Sequence, residues 1–454
     1  MLSYYTRLAL KSFGRGPGLT ALMVCAIALG IAVCVVTLTV YHAMSGNPIW
    51  WKNDRLYAVT MDNWDPKEPA DRTHPDLPPA QLTYKDATRL FESNIPERKV
   101  IMYVAQSVLT GGTAQRKPLP AATRLTTADF FPMFDVPFLY GSGWDAEADR
   151  SAAPVIVLSA EENQKIFGGI NSVGRTIRWN DREFRIVGVL GKWFPKPRFY
   201  DLNNGNFSTP DDAYIPFGWS TVIEQGATGG STNCWRPENV DNFKAFLASD
   251  CVWLQMWLEL PNARSRERMQ AFMDGYWAEQ RKAGRFERPR NNRLSTVSQW
   301  LEEQGVVQND NRVLVGIAFA FLAVCLLNTV GILLAKFLGG AAITGIRRAL
   351  GASRREIFLQ HLIEVGVLAV AGALLGLGLG ALGLWGVHSL YADSTVGTTD
   401  VATAISGGYQ ELAHFDVVSI FWAVTLAIVS ALAAGLYPAW RIGRTSPAVY
   451  LKSQ

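Results

Sequence analysis

The chain has 454 residues, enough for two or three domains, and 49% of them are hydrophobic while only 18% are charged. This apolar excess argues against a wholly soluble protein, because it collects in long runs without Asp, Glu, Lys or Arg. The net charge of +4 is small and its basic residues lie beside those runs, which indicates membrane topology and not nucleic-acid binding.

The apolar runs predict four transmembrane helices. Each run is long enough to cross about 30 Å of hydrocarbon as a helix, whereas a buried core helix would be shorter and amphipathic. Basic residues lie in the N-terminal tail, in the loop between the second and third runs, and in the C-terminal tail. We therefore expect both termini in the cytoplasm and the segment between the first two runs outside. The runs are Pro17–Met44, Val313–Ala335, Val365–Ala392 and Val417–Trp440.

These signals give a predicted organisation for the whole chain. The fold class is an α-helical membrane domain with four transmembrane helices plus an α+β extracytoplasmic domain. The first apolar run is too long for a signal peptide, so we interpret it as an uncleaved anchor. The predicted segments are an amphipathic helix 1–16, span 17–43, an external domain 44–311, span 312–336, an inner loop 337–356, span 357–389, an outer loop 390–415, span 416–441 and a tail 442–454.

The external segment alternates strand and helix patterns. Thr83 is a predicted N-cap, and Ser159 with Glu162 forms a predicted capping box. From about 191 to 250 the composition shifts to Gly, Asn, Pro, Trp and Phe, and we expect an inserted, loop-rich subdomain there. The predicted strands are Leu56–Met61, Val100–Leu109, Pro154–Leu158, Thr176–Trp179, Glu183–Leu190, Val252–Leu260 and Leu294–Val297. The main predicted helices are Thr83–Asn94, Thr127–Phe134, Ser159–Gly168 and Ala263–Lys282.

The five cysteines fall into two groups. Cys25, Cys34 and Cys325 lie in the spans, where cysteine packs as a small apolar residue. Cys234 and Cys251 lie in the external segment, where oxidation is permitted, and we expect them to form a disulfide; two free thiols are the alternative. The chain has no CxxC motif or Cys/His cluster, so the sequence predicts no metal site.

The inner loop predicts a basic helix on the membrane surface. Ile343, Ile346 and Leu350 fall on one helical face, and Arg347 and Arg348 take the other. A charged loop that only fixes topology is the alternative.

A turn and a second helix follow in the sequence. Gly351 offers a C-terminal stop, and Ser353 with Glu356 forms a capping box that starts a helix into the third span. A second basic pair, Arg354 and Arg355, lies inside that box. The loop is thus predicted to be a short surface helix, a sharp turn and a descent into the bilayer.

The third span carries Gly372, Gly376 and Gly380 at four-residue spacing. Such a glycine face lets another helix approach closely, either within the chain or across a dimer. No ionisable carboxylate, lysine or arginine lies inside the four apolar runs. Because ion-coupled transporters need such groups in their spans, the sequence argues against that class.

Motifs for chemistry give no candidate active site. Gly169–Thr176 is spaced like a phosphate-binding loop, but a strand follows it where a helix N-terminus would be needed. The histidines form no HExxH pair, and there is no Gly-x-Ser-x-Gly elbow. We predict no catalytic residue and no cofactor bound by this chain.

Several motifs, in the right order along nearly the whole chain, resemble those of the MacB/FtsX-type ABC transporter permeases. The stretches that look like the family's N-terminus and external core domain are Arg7–Phe13, Thr126–Phe131, Val155–Ser159, Val173–Ile177 and Ile186–Val189. The stretches that look like its membrane domain are Gly345–Ala352 and Tyr437–Arg441.

The resemblance implies a permease dimer in the bacterial inner membrane, bound to a dimer of cytoplasmic ABC ATPase subunits that hold ATP and Mg²⁺. It implies that ATP-driven motion is transmitted to the external domain, a porter-like lobe with an inserted second lobe, without passage of substrate through the bilayer. A periplasmic adaptor and an outer-membrane channel are further implied partners. The inner loop would act as the coupling helix, with the roles falling on Gly345, Arg347, Arg348, Gly351, Arg354 and Arg355.

One departure from the family pattern is informative. Ala342–Thr344 stands where the family has Arg-Glu-Ile, which motivates the hypothesis of a heterodimer with a second, more regular permease; a homodimer is the alternative. Only about sixteen residues precede the first span, so we expect a separate ATPase. Efflux is the expected function. A regulator of a cell-wall hydrolase, a lipoprotein-release permease and an anchored receptor without an ATPase are the alternatives.

Overall fold

The computed structural model describes residues 8, 16–111, 117–206, 208–227, 231–236, 238, 240–306, 309–339, 341–392, 425, 429, 432 and 435–441. The chain divides into two compact units, an extracytoplasmic-type unit of residues Gly46–Val306 and a membrane unit formed by the residues on either side of it. In the described part, three helices are long and apolar enough to cross a membrane: Pro17–Thr39, Val313–Gly339 and Arg354–Trp385.

The Gly46–Val306 unit is an α+β domain. Its strands are β1 (Leu56–Thr60), β2 (Arg98–Thr110), β3 (Leu119–Thr126), β4 (Phe138–Gly141), β5 (Val155–Leu158), β6 (Thr176–Trp179), β7 (Arg182–Leu190), β8 (Ala213–Pro216), β9 (Gln255–Glu259) and β10 (Arg293–Thr296). In chain order over both units, the helices are α1 (Pro17–Ser45), α2 (Tyr84–Phe91), α3 (Phe130–Met133), α4 (Ala146–Arg150), α5 (Ala160–Phe167), α6 (Ser220–Ile223), α7 (Phe243–Ala248), α8 (Ala263–Lys282), α9 (Val297–Glu303), α10 (Asn309–Gly339), α11 (Ala341–Ala349) and α12 (Arg354–Ala392), with short 3₁₀ turns at Trp50–Lys52 and Phe217–Trp219.

The ten described strands form one sheet in the order β10-β1-β9-β2-β3-β8-β5-β7-β4, with β6 pairing with β2 and β7. β2 is the longest strand and pairs antiparallel with β3, β6 and β9, while β3 pairs parallel with β8. Tyr103, Trp179 and Trp253 are among the large side chains that are almost fully buried against this sheet. Large aromatic rings dominate core energetics, so this sheet is the framework of the unit.

The segment of about 191–250, expected as an inserted lobe, shares the common sheet and core instead. β8 lies near the middle of the sheet, between β3 and β5. Phe199 and Tyr200 are each only 1% exposed. Tyr214 and Trp219 are buried as well, because rings of this size gain most from burial. Cys234 and Cys251 form a disulfide in the same segment.

A buried charge network joins this segment to β3. Arg124 Nη2 donates to Asp201 Oδ2 at 2.5 Å, and Arg124 Nε donates to Asp211 Oδ2 at 2.6 Å. Arg198 Nη2 donates to Asp211 Oδ1 at 2.7 Å. Burial disfavours the charged form of Asp201, but the two guanidinium groups outweigh it and hold the pKa of that carboxyl below its usual value. The network therefore ties the loop between β7 and β8 to β3, and loss of one partner would leave a buried charge without it.

In the membrane unit, α1 packs against both α10 and α12. A Cβ added at Gly30 would lie 2.9 Å from Leu322 Cδ1 of α10, and a Cβ at Gly376 of α12 would lie 2.8 Å from the carbonyl oxygen of Ala28. Cys34 Sγ donates to the carbonyl oxygen of Ala318 at 3.3 Å. Small residues let these backbones approach closely, which is how helices associate in lipid.

The glycine face of α12 therefore contacts α1 of the same chain. A Cβ at Gly372 would lie 2.6 Å from Ile27 Cγ2, whereas at Gly380 the nearest atom would be 3.7 Å away. Gly376→Ala should lower the melting temperature of the detergent-purified chain, because a methyl group against backbone forces the helices apart, at a cost of about 1–3 kcal/mol.

Gly378 provides the matched control for this prediction. Among the described residues, no atom of a neighbouring helix lies within 4 Å of a Cβ added there. Gly378→Ala should leave the melting temperature unchanged or raise it, since alanine is the better helix former by about 1 kcal/mol. Equal melting temperatures for the two variants would show that the close approach of α12 to α1 does not stabilise the unit.

Parts of the predicted membrane topology lie outside the described residues. The amphipathic helix 1–16 is described only at residues 8 and 16, and the outer loop 390–415 only at 390–392. The fourth span, 416–441, is described at 425, 429, 432 and 435–441, which are helical. Gly435 packs closely on Val365 of α12. The count of four spans remains a prediction, and the tail 442–454 is outside the described part.

Candidate functional site

The segment between α10 and α12 has a fixed turn at its centre. Gly351 has φ +104°, a conformation that favours glycine. The Gly351 N–H donates to the carbonyl oxygen of Arg348 at 3.1 Å, and the Ala352 N–H donates to that of Arg347 at 3.0 Å. These two bonds form a Schellman motif, which satisfies the last carbonyl groups of α11 and reverses the chain.

The start of α12 is fixed by a capping box. The Glu356 N–H donates to Ser353 Oγ at 3.3 Å, and the Ser353 N–H donates to Glu356 Oε2 at 2.8 Å. Each side chain therefore satisfies a backbone donor that the helix end leaves free. The capping box begins at Ser353, directly after the last residue of the Schellman motif, so hydrogen bonds constrain the turn on both sides.

The structure separates the four arginines of this loop into two environments. Arg354 and Arg355 are exposed at the first two positions of α12. Arg347 and Arg348 are half-buried, and Arg347 Nη1 donates to Gln360 Oε1 of α12 at 3.0 Å. The exposed pair can meet an acidic surface, while Arg347 holds α11 to α12.

Ile346 and Leu350, two residues of the apolar face of this loop, point outward. The side chains of Ile346 and Leu350 are 51% and 82% exposed, although Gly345 beside them is buried. Exposed apolar side chains next to membrane spans are suited to contact lipid or a partner protein. The loop thus presents both apolar and cationic groups.

A buried ion pair ties α10 to α12 directly beside this loop. Lys336 Nζ lies 2.7 Å from Glu364 Oε1, and their side chains are only 12% and 4% exposed. His361 Nδ1 lies 3.5 Å from the same carboxylate, and its ring contacts that of Phe337 with the centroids 4.2 Å apart and the planes tilted by 45°. Charged side chains within membrane-spanning helices almost always face the helix bundle and pair with one another, because an isolated charge in hydrocarbon is costly.

The two helices that carry this pair extend past the predicted ends of the spans. The sequence places those ends at 336 and 357, whereas α10 continues to Gly339 and α12 begins at Arg354. Lys336 and Glu364 lie just outside the apolar runs, which stop at Ala335 and resume at Val365, but within the two helices.

An apolar cluster links all three described spans, and two of its members, Phe337 and Val365, directly follow Lys336 and Glu364 in the sequence. It contains side chains from α1, α10 and α12, each at most 3% exposed. Closely packed side chains are not easily compressed, so a displacement of one helix is passed on to the helices that it contacts. The cluster members are Met23, Leu333, Phe337, Ile357, Val365 and Leu368.

Some residues of the site were missed by sequence reasoning. Gln360, His361 and Glu364 were not singled out, although Lys336 and Glu364 stand directly at the borders of the two apolar runs. Opposite charges at facing ends of neighbouring spans were the available signal. Among the described residues, no group of three or more His, Cys, Asp or Glu side chains could hold a metal ion. The disulfide residues Cys234 and Cys251 belong to the other unit.

Two known protein families match this chain, one over its larger N-terminal part and one over its C-terminal part. Residues 20–271 match the family described as MacB-like periplasmic core domain, and residues 315–447 match the FtsX-like permease C-terminal family. The chain belongs to the MacB/FtsX-type ABC transporter permeases. As such a permease, it is a membrane protein whose large unit is of the periplasmic core type.

Individual relatives of this permease are distant. The pyoverdine export ATP-binding/permease protein PvdT of Pseudomonas fluorescens is 23% identical over 444 residues, which cover 96% of this chain and 57% of that protein. The macrolide export ATP-binding/permease protein MacB of Wolinella succinogenes is 24% identical over 330 residues, which cover 72% and 43%. The permease therefore covers at most 57% of the length of these two relatives.

Among solved structures, the periplasmic region of MacB from Actinobacillus actinomycetemcomitans is similar to this permease. The match covers 57% of this chain and 96% of that chain, with 13% identity and a TM-score of 0.36.

Proposed function

We propose that this permease is the transmembrane subunit of an exporter that transmits motion from a separate cytoplasmic ATPase to its own extracytoplasmic unit. The observation that carries the proposal is the structure of the loop between α10 and α12. A rigid turn presents exposed arginines and apolar side chains, and it is fixed to the spans by Arg347–Gln360 and Lys336–Glu364.

The proposed coupling follows from these contacts. An ATPase dimer binds ATP and Mg²⁺, and its closure displaces the turn through Arg354 and Arg355, which pair with acidic side chains or lipid phosphates. Because the Schellman turn and the capping box resist deformation, the displacement passes into α12. The Lys336–Glu364 pair carries α10 along with α12, and α1 follows through its glycine contacts.

In this proposal the chain performs no chemistry and binds no nucleotide itself. The inner face carries the coupling loop and both termini, and the Gly46–Val306 unit works on the outer side of the bacterial inner membrane. A second permease, identical or related, completes the dimer. The relatives' names concern export of pyoverdine and macrolides, which supports efflux as the outcome. A periplasmic adaptor and an outer-membrane channel would extend that route.

Affinity purification tests the proposed partnership. The tagged chain, extracted in mild detergent from its own cells, should co-purify with an ABC ATPase subunit in equal amount, identified by mass spectrometry of the excised band. Any second permease in stoichiometric amount would establish a heterodimer. A chain that elutes without an ATPase, under conditions in which a known ABC complex stays intact, would contradict the proposal.

A further inference from the structure

A cleft in the Gly46–Val306 unit is lined by an uncommon set of side chains. Its volume is about 340 Å³, within the usual range for small ligand sites. Four segments far apart in the sequence form its walls: the loop after β1, the segment after Phe199, the residues around the disulfide, and the end of α9. Four carboxamide side chains line it: Gln81, Asn203, Asn233 and Gln304.

Among these residues, Gln81 most strongly indicates that the cleft binds a ligand. It is only 2% exposed, yet its Nε2 is buried without an acceptor among the residues that the structure describes. A buried amide that donates to nothing costs free energy, and proteins rarely leave one in that state. Gln81 lines the cleft, so a rotation of its carboxamide that turns Nε2 toward a ligand acceptor would remove this cost.

The walls of the cleft are held firmly. The residue after Gln81, Leu82, pairs with Leu254 in a β-bridge, and Asn233 pairs with Val252 in another. Asn233 and Val252 are the sequence neighbours of Cys234 and Cys251, so the disulfide holds the two segments of that wall together. A preformed cleft loses little conformational entropy when it takes a ligand.

The two carboxylates at the rim already have hydrogen-bond partners. Asp71 accepts from the Thr73 N–H group at 2.7 Å, and Glu303 accepts from Arg293 Nη1 at 3.1 Å. No Lys or Arg is among the described residues that line the cleft, so an anionic ligand would find no opposite charge, and a cationic ligand would have to compete with these partners. A purely apolar ligand would leave the amides unpaired. The cleft selects a neutral ligand with many hydrogen-bonding groups.

We infer that this cleft binds an uncharged peptide segment on the outer side of the membrane. A carboxamide carries the same C=O and N–H groups as a peptide bond and can bond both of them. The remaining walls, which include Trp64, Leu77 and Pro79, are apolar and suit small peptide side chains. Saccharides favour free carboxylates for their hydroxyl groups, and both carboxylates here are engaged, so peptide is the better fit.

The experiment is binding of defined probes to the purified full-length chain in detergent. The probes are a pool of neutral tetrapeptides with acetylated and amidated ends and, in parallel, maltotriose; bound amounts are measured by equilibrium dialysis with mass spectrometry. We expect saturable binding of peptides and none of maltotriose. Gln81→Leu and Asn203→Leu should each weaken peptide binding about tenfold, because each removes hydrogen bonds made in a buried site.

Two controls make the outcome decisive. Asn94→Ala and Gln106→Leu remove exposed carboxamides outside the cleft and should leave binding unchanged. The melting temperature of Gln81→Leu should equal or exceed that of the parent, since an unpaired buried amide is replaced by an apolar group of similar size. Absence of saturable peptide binding, binding unaffected by Gln81→Leu, or binding of maltotriose instead would each overturn the inference. No ATPase takes part, so such a failure leaves the coupling proposal untouched.

Discussion

Arg354→Glu combined with Arg355→Glu should leave the permease folded in the membrane but reduce ATP-dependent export at least tenfold. Both arginines are exposed at the N-terminus of α12. Acidic residues are favoured at a helix N-terminus, so the substitution should not weaken α12 itself. It does reverse the charge that meets the ATPase, and opposed like charges at an interface cost several kcal/mol. Export and ATP hydrolysis are measured together in reconstituted proteoliposomes.

The matched control is Arg264→Glu combined with Arg268→Glu. These arginines are exposed on α8 and produce the same change in net charge in the other unit. Export by this control should match the parent. Full export by the Arg354/Arg355 variant would show that the exposed pair does not receive the ATPase.

The second large effect is expected for Glu364→Gln. The substitution removes the carboxylate that lies 2.7 Å from Lys336 and leaves the ammonium group buried without it. Breaking a buried pair from one side costs about 3–5 kcal/mol. The variant should melt at a lower temperature and should also lose export, because α10 is no longer tied to α12. Thermal melts in detergent and export in proteoliposomes check the two effects separately.

Lys336→Met combined with Glu364→Met separates stability from transmission. Replacement of both partners by apolar residues of similar size is often neutral or stabilising, so the melting temperature should recover. Export should stay low, because the methionines pack without fixing one geometry. Recovery of export along with stability would mean that the ion pair only stabilises the unit and does not transmit motion.

The local features of the loop could be read from the sequence because they depend on neighbours. The Gly351 turn and the Ser353–Glu356 box are each made within a few residues, and hydrogen bonds of this kind follow from residue type and spacing. α8 likewise occupies Ala263–Lys282, where its own pattern and caps determine the ends. Family membership followed from motifs spread in order along the chain.

Several features that depend on distant contacts were not predicted. β3, β4 and β8 were missed, since each is short or interrupted by proline and is stabilised by pairing with remote strands. The segment of about 191–250 was predicted to be an inserted subdomain because its composition resembles a loop, although β8 pairs within the common sheet and Tyr200 and Tyr214 are buried. The Lys336–Glu364 pair joins residues 28 positions apart, and their proximity depends on how two spans pack.

The central claim is that the turn at Ser353 faces the cytoplasm, where an ATPase can reach it. Single cysteines at Ser353 and, as the outer reference, at Ala146 should be placed in a chain whose Cys25, Cys34 and Cys325 are alanine. A membrane-impermeant thiol reagent should label the Ala146 position in spheroplasts and the Ser353 position only in inverted membrane vesicles. Labelling of Ser353→Cys in intact spheroplasts, on the same side as Ala146→Cys, would contradict the account.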